Sequence, residues 1–271
     1  MTPEIQTEGV PIEFAPGDEA TAEIIAGALG ATLRAVRHDW GLEPPRDLRL
    51  CVMTSWRDFL FHAAPPAWKA LLAVGYPVWS GRARRTWPYS AAWTLRFGRR
   101  IAIGIKPPRL LEVSDKSIGE HIFIEEPDPA AKIRHLTCHE LTHAASSHLR
   151  LPPWLNEGLA AVSVDRFMGK QTIRPESLGL VERLQPKGPP PSYRAMARLD
   201  GETLAYHAVR GYWIVRFLED AHPGFIRSLL TSRRSSKEIE RQLSRQLGLP
   251  QADLWRVIDA AVVEHFRRKH D

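Results

Sequence analysis

The stretch LTCHELTHAASSHLRLPPWLNEG, residues 136–158, decides how the chain is read. Two histidines bracket a glutamate, a pair of prolines follows, and a second glutamate stands just beyond them. A helix advances about 100° per residue, so His139 and His143 lie one above the other on one face and can bring two imidazole nitrogens to one point. Glu140 is rotated by one position and reaches the side of that point. In this H-E-x-x-H arrangement the histidines bind Zn2+ and the glutamate takes a proton from the water that the ion activates. With only 11 His in 271 residues, the pattern arises by chance about 0.03 times in such a composition.

Catalytic zinc takes three protein ligands and keeps one position open. His135 shares the stripe, but eight residues of helix set it roughly 12 Å along the axis from His143. The third ligand must therefore come from another element. Pro152 and Pro153 end the first helix, and PPWLNEGLAAV restarts as a second one with proline at its beginning. Glu157 falls in the first turns of that second helix, which can fold back on the first. Its carboxylate is the candidate third ligand, giving a two-His-one-Glu site for one zinc ion.

HELTHAA followed by WLNEGLA resembles the gluzincin metallopeptidases, the clan of thermolysin and the zinc aminopeptidases. The short connection between the two motifs is most similar to the compact bacterial peptidase MA-like families. The resemblance is close over about 25 residues. It implies peptide-bond hydrolysis on a zincin-like fold, with His139, His143 and Glu157 as metal ligands and Glu140 as general base. It also implies that HIFIEE (121–126) is the edge strand along which an extended substrate pairs through its main chain. Gluzincins supply an oxyanion donor from a later helix, and TLAYHAVRGYWIVRFLED (203–220) is the matching segment here. Tyr206 is the candidate donor, with His207 and Tyr212 as candidate substrate-binding residues behind it. Thermolysin-like proteins carry an aspartate one turn after the glutamate ligand to orient a histidine; this chain has Ala161 there, which leaves Asp165 as a candidate acceptor.

Around this core the first half alternates. PIEFA (11–15) and LRLCVMT (48–54) read as strands, with a helix from Asp18 to about Asp39 between them. Ser55 is an N-cap for a helical segment broken at Pro65-Pro66. SAAWTLRF and RIAIGIK flank Gly98-Arg99 as a hairpin, and 119–126 reads as a further strand. From Asp128 onward apolar residues recur at spacings of three and four, over 129–149, 153–168, 200–220, 236–247 and 250–268. The proline- and glycine-rich run between the second and third of these reads as a loop. The expected architecture is α+β: a mixed lobe with a small sheet over 1–127, then a helical lobe over 128–271 carrying the HExxH motif and the glutamate ligand.

Composition is that of an ordinary globular protein, 44% hydrophobic and 25% charged. No window approaches the roughly 18 apolar residues of a membrane span, and the first residues lack a signal-peptide pattern. A cytoplasmic monomer acting on a peptide or protein substrate is the expectation. Cys51 and Cys138, the only two cysteines, are too few for a disulfide framework. The net charge of +6 admits nucleic acid or acidic lipid as partners. The basic pairs are scattered without an RNA- or DNA-binding signature, so nucleic acid is not expected. Two other classes stand beside the hydrolase: a zinc-containing binding module without turnover, and a basic scaffold without metal.

Overall fold

In the computed structural model, residues 3–111, 122–183, 188–190, 192–196, 198, 199 and 201–270 are described. The fold is mixed α+β, and the chain divides into two compact units. Unit 1 comprises Met1–His38, Glu43–Glu120 and Glu125–Ala145; unit 2 comprises Asp39–Leu42, His121–Ile124 and Ser146–Asp271. The HExxH segment thus goes with the sheet, whereas the sequence reading grouped it with the helices after 128.

Unit 1 is built on a five-stranded sheet of β1 (Glu4–Thr7), β2 (Val10–Glu13), β3 (Asp47–Val52), β4 (Ala92–Phe97) and β5 (Arg100–Ile105), in the order β1-β2-β3-β5-β4. The β2–β3 and β3–β5 pairs are parallel; the two outer pairs are antiparallel hairpins. The first hairpin turns at Glu8 and Gly9, both at positive φ, the backbone sense that matches strand twist. The second turns at Gly98, also at positive φ.

The strand RIAIGI is buried at every position after Arg100, because helices cover both of its faces. Ile101, Ile103 and Ile105 join Leu48, Leu50 and Val52 in a core against α1 (Glu19–Trp40) and α5 (Pro129–Ser146), which contribute Ile25, Leu29, Ile133, Leu141 and Ala144. On the other face Ala102 and Phe97 meet Met53 and Phe59. Phe59 comes from α2 (Trp56–Ala63), which Ser55 caps by accepting from the Asp58 amide. Pro65 and Pro66 break the helical run as expected, and α3 (Pro66–Val74) and α4 (Tyr76–Thr86) follow. At the start of α5 the Asp128 carboxylate accepts from the amides of Ala130 and Ala131, satisfying two of the donors that a helix start leaves open.

Unit 2 is helical: α6 (Pro153–Met168), α7 (Leu178–Arg183), α8 (Tyr193–Met196), α9 (Gly201–Ala221), α10 (Phe225–Leu229), α11 (Ser236–Leu247) and α12 (Leu254–His270). Helix α6 begins with Pro153 and stops at Gly169 in the left-handed conformation. It crosses α9 at backbone distance. A Cβ on Gly158 would stand 2.2 Å from the Gly211 carbonyl oxygen, and one on Gly211 would stand 2.3 Å from that of Trp154. The expected strand over 119–126 is corrected here. Residues 119–121 lie outside the described residues, and the remainder does not join the sheet. Phe123 instead forms an isolated antiparallel bridge with Ile173, flanked by Ile124 N–H to Thr172 O and Arg174 N–H to Ile122 O, each 2.8 Å.

Glycine-to-alanine changes inside helices ordinarily stabilise. Gly158→Ala is expected to do the reverse, lowering unfolding free energy by about 1–3 kcal/mol because the helices must separate. Urea denaturation reads this, and an unchanged or raised midpoint would contradict the close crossing.

Candidate metal centre

Helix α5 turns Ile133, Leu136, Leu141 and Ala144 into the sheet core. At 100° per residue, positions 139 and 143 then fall away from that stripe while staying aligned with each other. The two rings meet edge to face with centroids 4.6 Å apart, and their Nε2 atoms are 3.0 Å apart. Two nitrogens each 2.0–2.1 Å from one zinc ion can be at most about 4.2 Å apart, so the pair fits a shared ion without rearrangement. One ligand atom from each of His139, Glu140 and His143 lies within 4.8 Å of the others. Nitrogen and carboxylate donors in this number suit zinc better than calcium or magnesium, which favour all-oxygen shells.

Glu140 is buried, and its carboxylate is held from the sheet. Thr94, at the middle of β4, donates its hydroxyl to Glu140 Oε2 at 2.6 Å and lies 3.2 Å from the Glu140 carbonyl oxygen. Alternation along β4 explains the aim. Trp93, Leu95 and Phe97 pack on the α2 face and Ala92 on the α5 face, so Thr94 faces α5 as well. In the sheet β4 pairs only with β5, and among the described residues no strand occupies its outer side. The sheet edge beside the glutamate is therefore β4 and not HIFIEE.

The other candidate residues belong to unit 2. Glu157, in the second turn of α6, accepts from the Tyr193 hydroxyl at Oε1, 2.7 Å. That hydroxyl in turn accepts from Asn156 Nδ2 at 2.6 Å, and Asn156 Oδ1 accepts from the Ser146 hydroxyl at 2.8 Å. A chain of side-chain hydrogen bonds thus sets the orientation of the Glu157 carboxylate.

Tyr206 has a structural position. It is 2% exposed and donates to Asp259 Oδ2 at 2.8 Å, while Arg210 Nε donates to Asp259 Oδ1 at 2.7 Å. Burial pushes the Asp259 carboxyl above its ordinary value; the Arg210 guanidinium and the Tyr206 hydroxyl pull it back only in part. Burial also raises the Tyr206 phenol, keeping it a neutral donor. His207 is buried with its ring 4.8 Å from that of Tyr206.

Tyr212 donates to Asp165 Oδ2 at 2.6 Å, where Arg216 also donates at 3.0 Å, and the Thr172 amide and hydroxyl both donate to Asp165 Oδ1 at 2.7 Å. Asp165, a candidate imidazole acceptor in the sequence, ties α9 to the turn after α6. Of the residues read as oxyanion donor and substrate contacts, Tyr206 and Tyr212 thus have their hydroxyls on buried carboxylates of unit 2, and His207 lies buried beside Tyr206.

Three residues absent from the sequence reading enter here: Thr94, Asn156 and Tyr193. The signal for Thr94 was the strand alternation that aims it at α5. Asn156 stood one residue before the glutamate in the motif itself. Tyr193 lies in the proline-rich run, where nothing local marks it. No protein-family model matches this sequence, and no curated protein is significantly similar to it.

The Thr94 hydroxyl bonds an acid in a partly buried setting, where such a bond contributes roughly 1.5–3 kcal/mol. Thr94→Val is expected to lose about that much stability and Thr94→Ser to recover most of it, read by urea denaturation of the two variants beside the parent. Equal midpoints for Val and Ser would mean that the hydroxyl does not hold the carboxylate.

Proposed function

We propose that this protein is a zinc-dependent metallopeptidase of gluzincin type. The observation that carries the reading is the 3.0 Å approach of the His139 and His143 Nε2 atoms, with a buried glutamate on the intervening turn. His139 and His143 would hold the ion, and Glu157 is the candidate third ligand on the strength of the WLNEG resemblance. Bound zinc supplies Lewis acidity toward a carbonyl and lowers the pKa of water.

The protein's own residues account for the remainder of the chemistry. Glu140 accepts a proton from the attacking water and delivers it to the leaving amine, a task for one carboxylate near both atoms. Thr94 fixes the rotamer of that carboxylate by donating to Oε2, so the lone pairs of Oε1 face the reaction. Strand β4, which among the described residues has a strand neighbour on one side only, would pair with an extended peptide, the recognition mode in which backbone bonds give affinity and side-chain pockets give choice. Tyr193 is the better candidate hydroxyl donor than Tyr206, because its hydroxyl already stands at the Glu157 carboxylate instead of inside a buried ion pair.

Metal analysis of the purified protein joined to cleavage of a mixed peptide pool tests the reading. The parent is expected to carry one zinc and to cut peptides. Glu140→Gln should keep the zinc and lose turnover by about 10²-fold or more, whereas His143→Ala should lose the metal. Peptide cleavage by Glu140→Gln at the parental rate would refute the role given to Glu140, and a zinc-loaded parent that cuts nothing would leave only a metal-holding module.

A further inference from the structure

The segment after α2 is unlike the rest of the chain. Helix α3, PAWKALLAV, has no buried residue. Its inner side is set by Trp68, which meets Phe97 edge to face at 5.8 Å, and by Leu72, which packs on the α2-side core. Ala67, Leu71 and Val74 recur at spacings of four and three, one face of α3, and Val78 follows on α4 past the break at Gly75. Leu71 is 63% exposed, Val74 85% and Val78 86%. Isolated exposed leucines need no explanation, but an apolar row on adjoining helices marks a contact surface.

Charge identifies what this surface meets. Residues 59–111 contain nine Lys and Arg and not one Asp or Glu. Of the net +6 of the whole chain, this stretch contributes +9 and all other residues −3. Part of that charge is used internally: Arg100 pairs with Asp47, Arg109 with Asp18, and Lys106 is buried, donating to the Trp87 carbonyl at 2.6 Å beneath that ring. Lys69, on α3, and Arg84 and Arg85, on α4, are exposed in the same segment. Tyr89, in the same stretch, is 60% exposed, and tyrosine favours a membrane–water boundary.

Two copies of so basic a face repel each other, and a nucleic acid has no use for an aliphatic row. A negatively charged lipid surface satisfies both properties at once: acyl chains for Leu71, Val74 and Val78, headgroup phosphates for the cations. Among the described residues no helix is long and apolar enough to cross a membrane, so the contact is one of lying on the surface. We propose that the α3–α4 segment is a docking surface for anionic membranes, with Leu71, Val74 and Val78 entering the interface and Lys69, Arg84 and Arg85 binding the headgroups.

Co-sedimentation of the full chain with vesicles tests the proposal, using phosphatidylcholine alone and phosphatidylcholine with one-quarter phosphatidylglycerol. Binding to the mixed vesicles only is expected. The triple variant Leu71→Ser, Val74→Ser, Val78→Ser should lower it on the order of tenfold or more, and Lys69→Gln, Arg84→Gln, Arg85→Gln should abolish its dependence on phosphatidylglycerol. All six residues are exposed, so both variants should melt with the parent. If either does not, quenching of the parent's tryptophan fluorescence by brominated lipid replaces the comparison, and quenching is the supporting result. The proposal is overturned by absent sedimentation, by binding that survives the serine changes, by a basic-face interaction with duplex DNA and no lipid, or by a dimer that the serine variant loses.

Discussion

Two imidazoles four residues apart can share an ion only if the helix that carries them is held rigid and in one rotation. In this protein the opposite side of α5 does that. Ile133, Leu141 and Ala144 are locked into the sheet core, so rotating the helix to misalign His139 and His143 would drag apolar side chains into water at roughly 25 cal/mol for each Å² exposed. The capping carboxylate of Asp128 fixes where the helix starts, and Thr94 fixes the acid between the histidines. The geometry of the histidine pair is thus a consequence of hydrophobic registration beneath it.

Unit 2 prepares its own carboxylate by different means. Glu157 precedes the glycine at which α6 touches α9, so its place along the helix is set by backbone contact. Its direction is set by the Ser146–Asn156–Tyr193 chain of hydrogen bonds. Two buried acids of the same unit collect donors from α9: Asp259, itself on α12, takes those of Tyr206 and Arg210, and Asp165 takes those of Tyr212 and Arg216 together with Thr172 from the turn after α6. A buried carboxylate with fewer partners would be costly; with several, it specifies which turn of α9 lies against which neighbour.

Much of this was legible in the residues. The alternating and helical periods located β2 to β5, α1, α5, α6 and α9 to within a few residues, because each is either amphipathic or bounded by proline, glycine or a cap. The strand EIQT was missed, since neither its polarity nor its length announces a strand; its pairing depends on the Glu8-Gly9 turn. HIFIEE was read as an edge strand because the gluzincin resemblance implies one there, yet Phe123 bridges to Ile173, fifty residues on, and no local rule identifies so distant a bridge. His139, Glu140 and His143 were visible because helical spacing alone brings them together. Thr94, Asn156 and Tyr193 act through tertiary neighbours. That the Tyr206 and Tyr212 hydroxyls donate to buried acids was not legible, because a sequence does not reveal which carboxylates lie within their reach.

The close crossing at Gly158 and Gly211 has an evolutionary corollary. Backbone blocks both positions, the Gly211 carbonyl facing Gly158 and the Trp154 carbonyl facing Gly211, so altering one glycine gives no room at the other. Variation in this protein must consequently flow around that crossing. The Glu157 carboxylate next to it is anchored in a part of the molecule where drift is least able to reach.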